Sequence, residues 1–145
     1  MVTSESLRSF EGSCHCGAIA FVFETLHPPD RWQIRACQCS FCRRHAACTT
    51  SDATGRVSFE VREEGALVRY RFGLRTADYL LCRNCGVYLG AVLTSPLGQF
   101  ATLNVHTLSE PCKFENVLAV SYDQESIAER QRRREQRWTP VIGVA

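Results

Sequence analysis

Seven of the nine cysteines in this 145-residue chain fall into three tight clusters, and no other feature limits its possible folds so strongly. The clusters are Cys14-His15-Cys16-Gly17, Cys37-Gln38-Cys39-Ser40-Phe41-Cys42 and Cys82-Arg83-Asn84-Cys85-Gly86. Thiolates suit zinc, a borderline-soft, redox-inert ion with no electronic preference for one geometry, and four sulfurs close a tetrahedron at ~2.3 Å each. The two side chains of a CxC pair leave an extended chain on the same face. A CxxC turn presents two ligands from one bend. Gly17 and Gly86 each follow the last cysteine of a cluster, where a sharp turn lets backbone N–H groups point at sulfur. One CxxC is weak evidence of a metal site, whereas three clusters in so short a chain are strong evidence.

Seven ligands fill one closed four-sulfur site and leave three over, the arithmetic of a structural zinc plus a second zinc with an open position, two ions per chain. Spacing alone leaves open which clusters combine. The second cluster is the natural three-ligand set, because Cys37, Cys39 and Cys42 fall within six residues and can wrap a single ion. Cys14, Cys16, Cys82 and Cys85 would then form the closed site, clipping an early strand to a distant turn. Two alternatives stand beside this partition. Cys48 can complete a second closed site, and His45 can serve as fourth ligand or orient a bound thiol or water. Cys112, beside Pro111, reads as a buried apolar side chain. His15, His27 and His106 have no partner visible in the sequence.

The length fits one domain over residues 1–145. With 45% hydrophobic and 22% charged residues, the chain fits neither a disordered nor a fibrous class. Its first ten residues, MVTSESLRSF, lack a signal pattern, and the longest apolar run, Val87 to Leu93, is too short to cross a bilayer. A cytoplasmic, reducing setting is therefore expected, in which thiols persist. The odd cysteine count and the poor placement of CxC pairs to bridge each other also argue against a disulfide framework. The net charge is +2, and sixteen of the seventeen basic residues are arginine, Lys113 being the exception. These arginines are spread over many segments and dense only in one, so the footprint expected for nucleic acid is weak.

Short strands dominate the pattern. Ile19, Phe21 and Phe23 alternate with Ala20 and Val22, and Val68, Tyr70 and Phe72 alternate with Arg69 and Arg71, the latter reading as a half-exposed strand. Val57 to Val61, Tyr79 to Leu81, Val87 to Leu93, Phe100 to Val105 and Val117 to Tyr122 are further strand candidates. One helix is expected over 123–138, where Ser126 and Glu129 form a capping box and the chain runs free of Gly and Pro to Trp138. Its arginines, Arg130, Arg132, Arg133, Arg134 and Arg137, read as a solvated face in preference to a contact with an acidic partner.

In order and separation, GSCHCGAIAF, CQCSFCRRH and LCRNCG resemble the glutathione-dependent formaldehyde-activating family, which also includes centromere protein V-like proteins. The resemblance covers roughly residues 10 to 122. It implies an all-β fold of small, sandwich-like sheets built around zinc sites, with the short helix added at the C-terminus. It also implies a structural zinc on Cys14, Cys16, Cys82 and Cys85 and a reactive one on Cys37, Cys39 and Cys42. The activity implied is a carbon–sulfur lyase or synthase chemistry, adding the glutathione thiol to formaldehyde, with a small-molecule thiol and an aldehyde as partners. A thiol on zinc loses its proton readily, and the thiolate is the nucleophile that attacks an aldehyde carbon. Ser40, Arg43, Arg44 and His45 are local candidates to protonate or hydrogen-bond the aldehyde oxygen. The alternative is a non-catalytic interaction module with both zinc sites closed. After residue 122 the chain departs from the commoner members, which carry an aromatic- and proline-containing segment there. That makes the Arg-rich helix and Trp138-Thr139-Pro140 candidates to line or cap a pocket.

Overall fold

Strand-forming alternation decides most of the architecture. The computed structural model describes residues 7–114 and 116–143. Its regular elements follow in the order β1 (Arg8–Ser13), β2 (Ile19–Thr25), β3 (Ile34–Cys37), α1 (Ser40–His45), β4 (Thr49–Thr50), β5 (Arg56–Val61), β6 (Leu67–Tyr70), β7 (Asp78–Cys82), β8 (Tyr88–Ser95), β9 (Gly98–Asn104), β10 (Val117–Val120), α2 (Ile127–Arg137) and β11 (Thr139–Pro140). They form two sheets, β1-β2-β5 and β10-β3-β4-β9-β8-β7-β6, with β11 added on β9. All neighbours are antiparallel except β10 and β3. The expected all-β fold with a short C-terminal helix is what the chain adopts.

The strongly apolar face of β2 places Ile19, Phe21 and Phe23 in the main core. There they meet Val57 of β5, Trp32, Ile34 of β3, and Leu80, Leu89, Val92 and Leu103 of the large sheet. Burying each such side chain contributes roughly 1.5–3 kcal/mol. Trp32 ties this core together, its ring edge-on to Phe10 and Phe23 at 4.8 and 5.3 Å.

Several boundaries depart from expectation. β6 stops at Tyr70 and β10 at Val120, so Phe72 and Tyr122 lie beyond their strands. The helix begins at Ile127, not near residue 123, because Ser126 stays extended and caps it. The capping box is complete: Ser126 Oγ accepts from Glu129 N at 3.1 Å and Ser126 N donates to Glu129 Oε1 at 2.9 Å.

The larger correction concerns the face of that helix. Arg132 and Arg137 are exposed, but Arg134 is buried and Arg130 and Arg133 are half-buried, so the helix packs on the large sheet instead of presenting all its arginines to water. Trp138 anchors it among Ala77, Ala91 and Leu93. Beyond it, Thr139 and Pro140 pair with Ala101 and Phe100, and Val141 bridges to Val57. The end of the chain is thus fastened to both sheets. Among the described residues no helix is long and apolar enough to cross a membrane.

Candidate metal centres

Two hairpin loops from different sheets build the first centre. Cys14 and Cys16 lie between β1 and β2, while Cys82 ends β7 and Cys85 lies in the turn to β8. Their four Sγ atoms all fall within 4.8 Å of one another. Cys14 and Cys16 are 3.8 Å apart and Cys16 and Cys82 3.6 Å. A tetrahedron with ~2.3 Å bonds has edges of ~3.8 Å, so the separations suit a zinc and are far too long for the ~2.05 Å of a disulfide. The sharp turns expected at the glycines are present, with φ of +82° at Gly17 and +78° at Gly86. Open space surrounds both positions, so the backbone angle is what requires glycine there. Ile19 N points at Cys14 Sγ at 3.4 Å, as expected of a sulfur ligand held by backbone N–H groups.

The second centre is local. Cys37 ends β3, Cys39 caps α1 and Cys42 sits in its first turn, and the three sulfurs lie within 4.8 Å of one another. The Cys39 sulfur accepts the Cys42 N–H at 3.3 Å, taking the role a Ser or Asp side chain plays at other helix starts. Hydrogen bonds from Cys37 and Cys42 hold the Cys39 thiol far below its ordinary pKa, while bonds to Cys37 and Cys39 push Cys42 far up. Three sulfurs so close cannot all ionise without a cation between them, which is the chemistry of a metal site.

No fourth Cys, His, Asp or Glu joins this set among the described residues. Cys48 packs against the main core and lines a groove with Ile34 and Val105. His45 is exposed, its ring 4.4 Å from Phe41. Cys112, expected to be buried, is half-exposed.

Phe41, between Cys39 and Cys42, roofs the centre with aromatic rings. It stacks on Tyr70 and Phe72 at 5.7 and 5.3 Å and meets Tyr79 and Tyr88 edge-on at 4.9 Å each. The alternation at Tyr70 and Phe72 thus serves this roof instead of a bare half-exposed strand.

Beside Cys37 and Cys42 lies a cavity of about 50 Å³, whose lining also includes Tyr79, Tyr88, Arg35, Arg134 and Trp138. The larger surface groove over β1, β2 and β5 holds no cysteine, and the one lined by Cys48 and Cys112 holds none of the seven clustered ones. Burial raises the Tyr79 hydroxyl to about 12 and Tyr88 well above its ordinary value, so both keep their protons. Neither hydroxyl has a hydrogen-bond partner among the described residues. The residues expected to serve the aldehyde oxygen lie elsewhere: Arg43 and Arg44 are exposed and bond the backbone at Gln38 O and Ser40 O, and Ser40 is exposed. Sequence reasoning passed over Tyr79, Tyr88, Arg35 and Arg134. For Arg134 a signal existed, the i,i+4 spacing from Trp138, over whose ring its guanidinium lies at 4.8 Å.

Comparison with known proteins gives the family. A crystal structure of a Rhodobacter sphaeroides protein, a structural-genomics target, is 35% identical, matches 70% of this chain and 90% of that one, and gives a TM-score of 0.52. No curated protein matches. The family described as glutathione-dependent formaldehyde-activating enzyme matches residues 9–124, which include all seven clustered cysteines, and the chain belongs to that family.

Proposed function

We propose that the protein joins a small thiol to a small aldehyde, using zinc held by Cys37, Cys39 and Cys42, while Cys14, Cys16, Cys82 and Cys85 hold a structural zinc. The observation that carries this reading is the second centre: three converging sulfurs, no fourth side-chain ligand among the described residues, and a cavity beside them. An interaction module with both sites closed would need Cys48 or His45 at the second centre; Cys48 packs against the core instead, and His45 is exposed and does not join the three sulfurs.

Zinc bound there would supply Lewis acidity, lowering the pKa of an incoming thiol. The chain's residues do the rest. In the reaction the S–H bond of the thiol breaks and a carbon–sulfur bond forms at the carbonyl, whose oxygen takes up the proton. The negative charge developing on that oxygen needs a donor that stays protonated, and the buried hydroxyls of Tyr79 and Tyr88 meet that requirement. Phe41, Tyr79 and Tyr88 pack with the three cysteines and give the centre an apolar side.

X-ray absorption combined with exchange spectroscopy tests the proposal. The expected result is two zinc ions per chain, together bound by seven sulfurs and one lighter atom, with faster exchange between formaldehyde and its glutathione adduct when the protein is present. Eight sulfur ligands from the chain, or one zinc per chain after metal-replete expression, would overturn it. No acceleration at an open site would remove glutathione and formaldehyde as the pair.

A further inference from the structure

The lining of the cavity carries more buried positive charge than the protein balances. Arg35, on β3, is 8% exposed and Arg134, on α2, is 5% exposed. Each bonds a neutral hydroxyl: Arg35 Nη2 reaches Ser51 Oγ at 2.6 Å and Arg134 Nη1 reaches Thr76 Oγ1 at 2.8 Å. Neither has a carboxylate partner among the described residues. The Nε–H of Arg134 is buried with no acceptor at all. A third guanidinium, Arg133, is already satisfied, paired with both oxygens of Glu125 at 2.8 and 3.0 Å. Glu125 also lies 3.7 Å from Arg130, so its charge is shared twice before Arg134 is reached.

A buried charge is ordinarily paired, and a buried donor ordinarily bonded. Arginine does not lose its proton in proteins, so both guanidiniums remain charged. Three thiolates and a divalent ion would sum to one negative charge; two guanidiniums against them leave the site at +1, the charge one monoanion cancels. With Arg134 Nη1 taken by Thr76, the free edge of the group is the Nε side, which suits a planar carboxylate side-on. At roughly 10–15 Å³ of accessible space per water, a cavity of about 50 Å³ takes about four waters' worth of ligand. That admits a carboxylate and one or two carbons, and excludes a tripeptide.

We infer that this cavity is a carboxylate subsite, in which Arg35 and Arg134 hold the carboxylate of a small 2-oxo acid and place its aldehyde carbon beside the Cys37 and Cys42 face. The identity of the aldehyde rests on the thiol–aldehyde reading above, but the anion site does not. The physical consequence is a preference for a charged aldehyde over a neutral one.

The test begins with the zinc-loaded full chain, following the arginine ¹⁵Nε–¹Hε resonances during titration with acetate and with its neutral isostere acetamide. Acetate should move the Arg134 signal saturably and acetamide should not. Arg134→Gln should weaken acetate binding at least tenfold, while Arg132→Gln, at an exposed position of the same helix, should leave it within twofold. Equal response to acetate and acetamide, or no saturation with acetate, would overturn the site using the unmutated protein alone, whether or not the Arg134 variant folds.

Kinetics then assigns the carboxylate. With glutathione as thiol, Arg134→Gln should lower kcat/KM for glyoxylate at least tenfold and for formaldehyde less than twofold. If the variant instead impaired formaldehyde turnover only when mercaptoacetate replaced glutathione, the carboxylate would belong to the thiol and the 2-oxo acid assignment would fall. Acetate binding with no turnover of either aldehyde would refute the thiol–aldehyde reading and the 2-oxo acid with it, and leave the anion site standing.

Discussion

Removing two sulfurs from each centre in turn should reveal which of them holds the fold together. In the variant Cys16→Ser/Cys85→Ser, one ligand is lost from each hairpin, and the remaining pair cannot close a tetrahedron. Cys16 is exposed and Cys85 half-buried, so little packing is lost with them. The link from Cys16 to Cys82 spans 66 positions, and a cross-link over that distance lowers the entropy of the unfolded chain by about 4 kcal/mol. At the second centre the ligands lie within six residues. Because closure entropy scales as (3/2)RT ln n, Cys37→Ser/Cys39→Ser should cost about 2–3 kcal/mol less than the first pair. For a domain of this size that difference is about 10 °C in Tm. Calorimetry of zinc-loaded proteins, with metal content measured alongside, reads it directly. Equal losses, or a greater loss at the second centre, would refute the assignment of the first as the structural clip.

Three further outcomes are expected. Replacing Tyr79 or Tyr88 by Phe removes a donor facing the cavity, and at least one of the two changes should lower kcat about 100-fold with little change in KM; full activity in both would exclude these hydroxyls from the reaction. Ser126→Ala, which opens the capping box, should cost about 1 kcal/mol in thermal unfolding, and a loss below a few tenths would mean that α2 is held by Trp138 alone. Asp52 keeps a lowered pKa even though burial opposes it, because Thr25 and Thr54 donate to its carboxylate. Its contribution is therefore present above the unfolded value near 4 and lost as pH falls through the folded one. Asp52→Asn should be less stable at pH 7 by about 1.5–3 kcal/mol, and the gap should close in urea melts on acidification; a constant gap from pH 7 to 3 would contradict this account.

What could be read from the residues follows the strength of the local signal. β2, β5, β8 and β9 carry continuous or alternating apolar runs, and their cores follow from that pattern alone. Helix α2 announces itself through Ser126 and Glu129. Helix α1 does not, since it has six residues and is capped by a cysteine whose role as a metal ligand hides its role as a cap. β3 contains Arg35, and a buried arginine breaks the apolar alternation on which strand reading depends. The seven clustered cysteines were legible because ligand chemistry imposes spacing. The cavity was not, because Tyr79, Tyr88, Arg35 and Arg134 come from four elements and meet only through the order of the strands. An arginine-rich stretch is solvated in most helices; here Trp138 and β11 press it onto the sheet.

The fastening of α2 between Ser126 and β11 has a consequence for how such a protein can change. Every clustered cysteine lies within residues 9–124, the portion matched by the family, whereas Arg134 and Trp138 belong to the segment that follows. In the proposed reading the sulfur ligands and Arg35 lie in the first stretch, and Arg134 brings the second stretch to the same cavity. The second stretch can be rewritten without disturbing a sulfur, provided that its last residues still find the edge of β9.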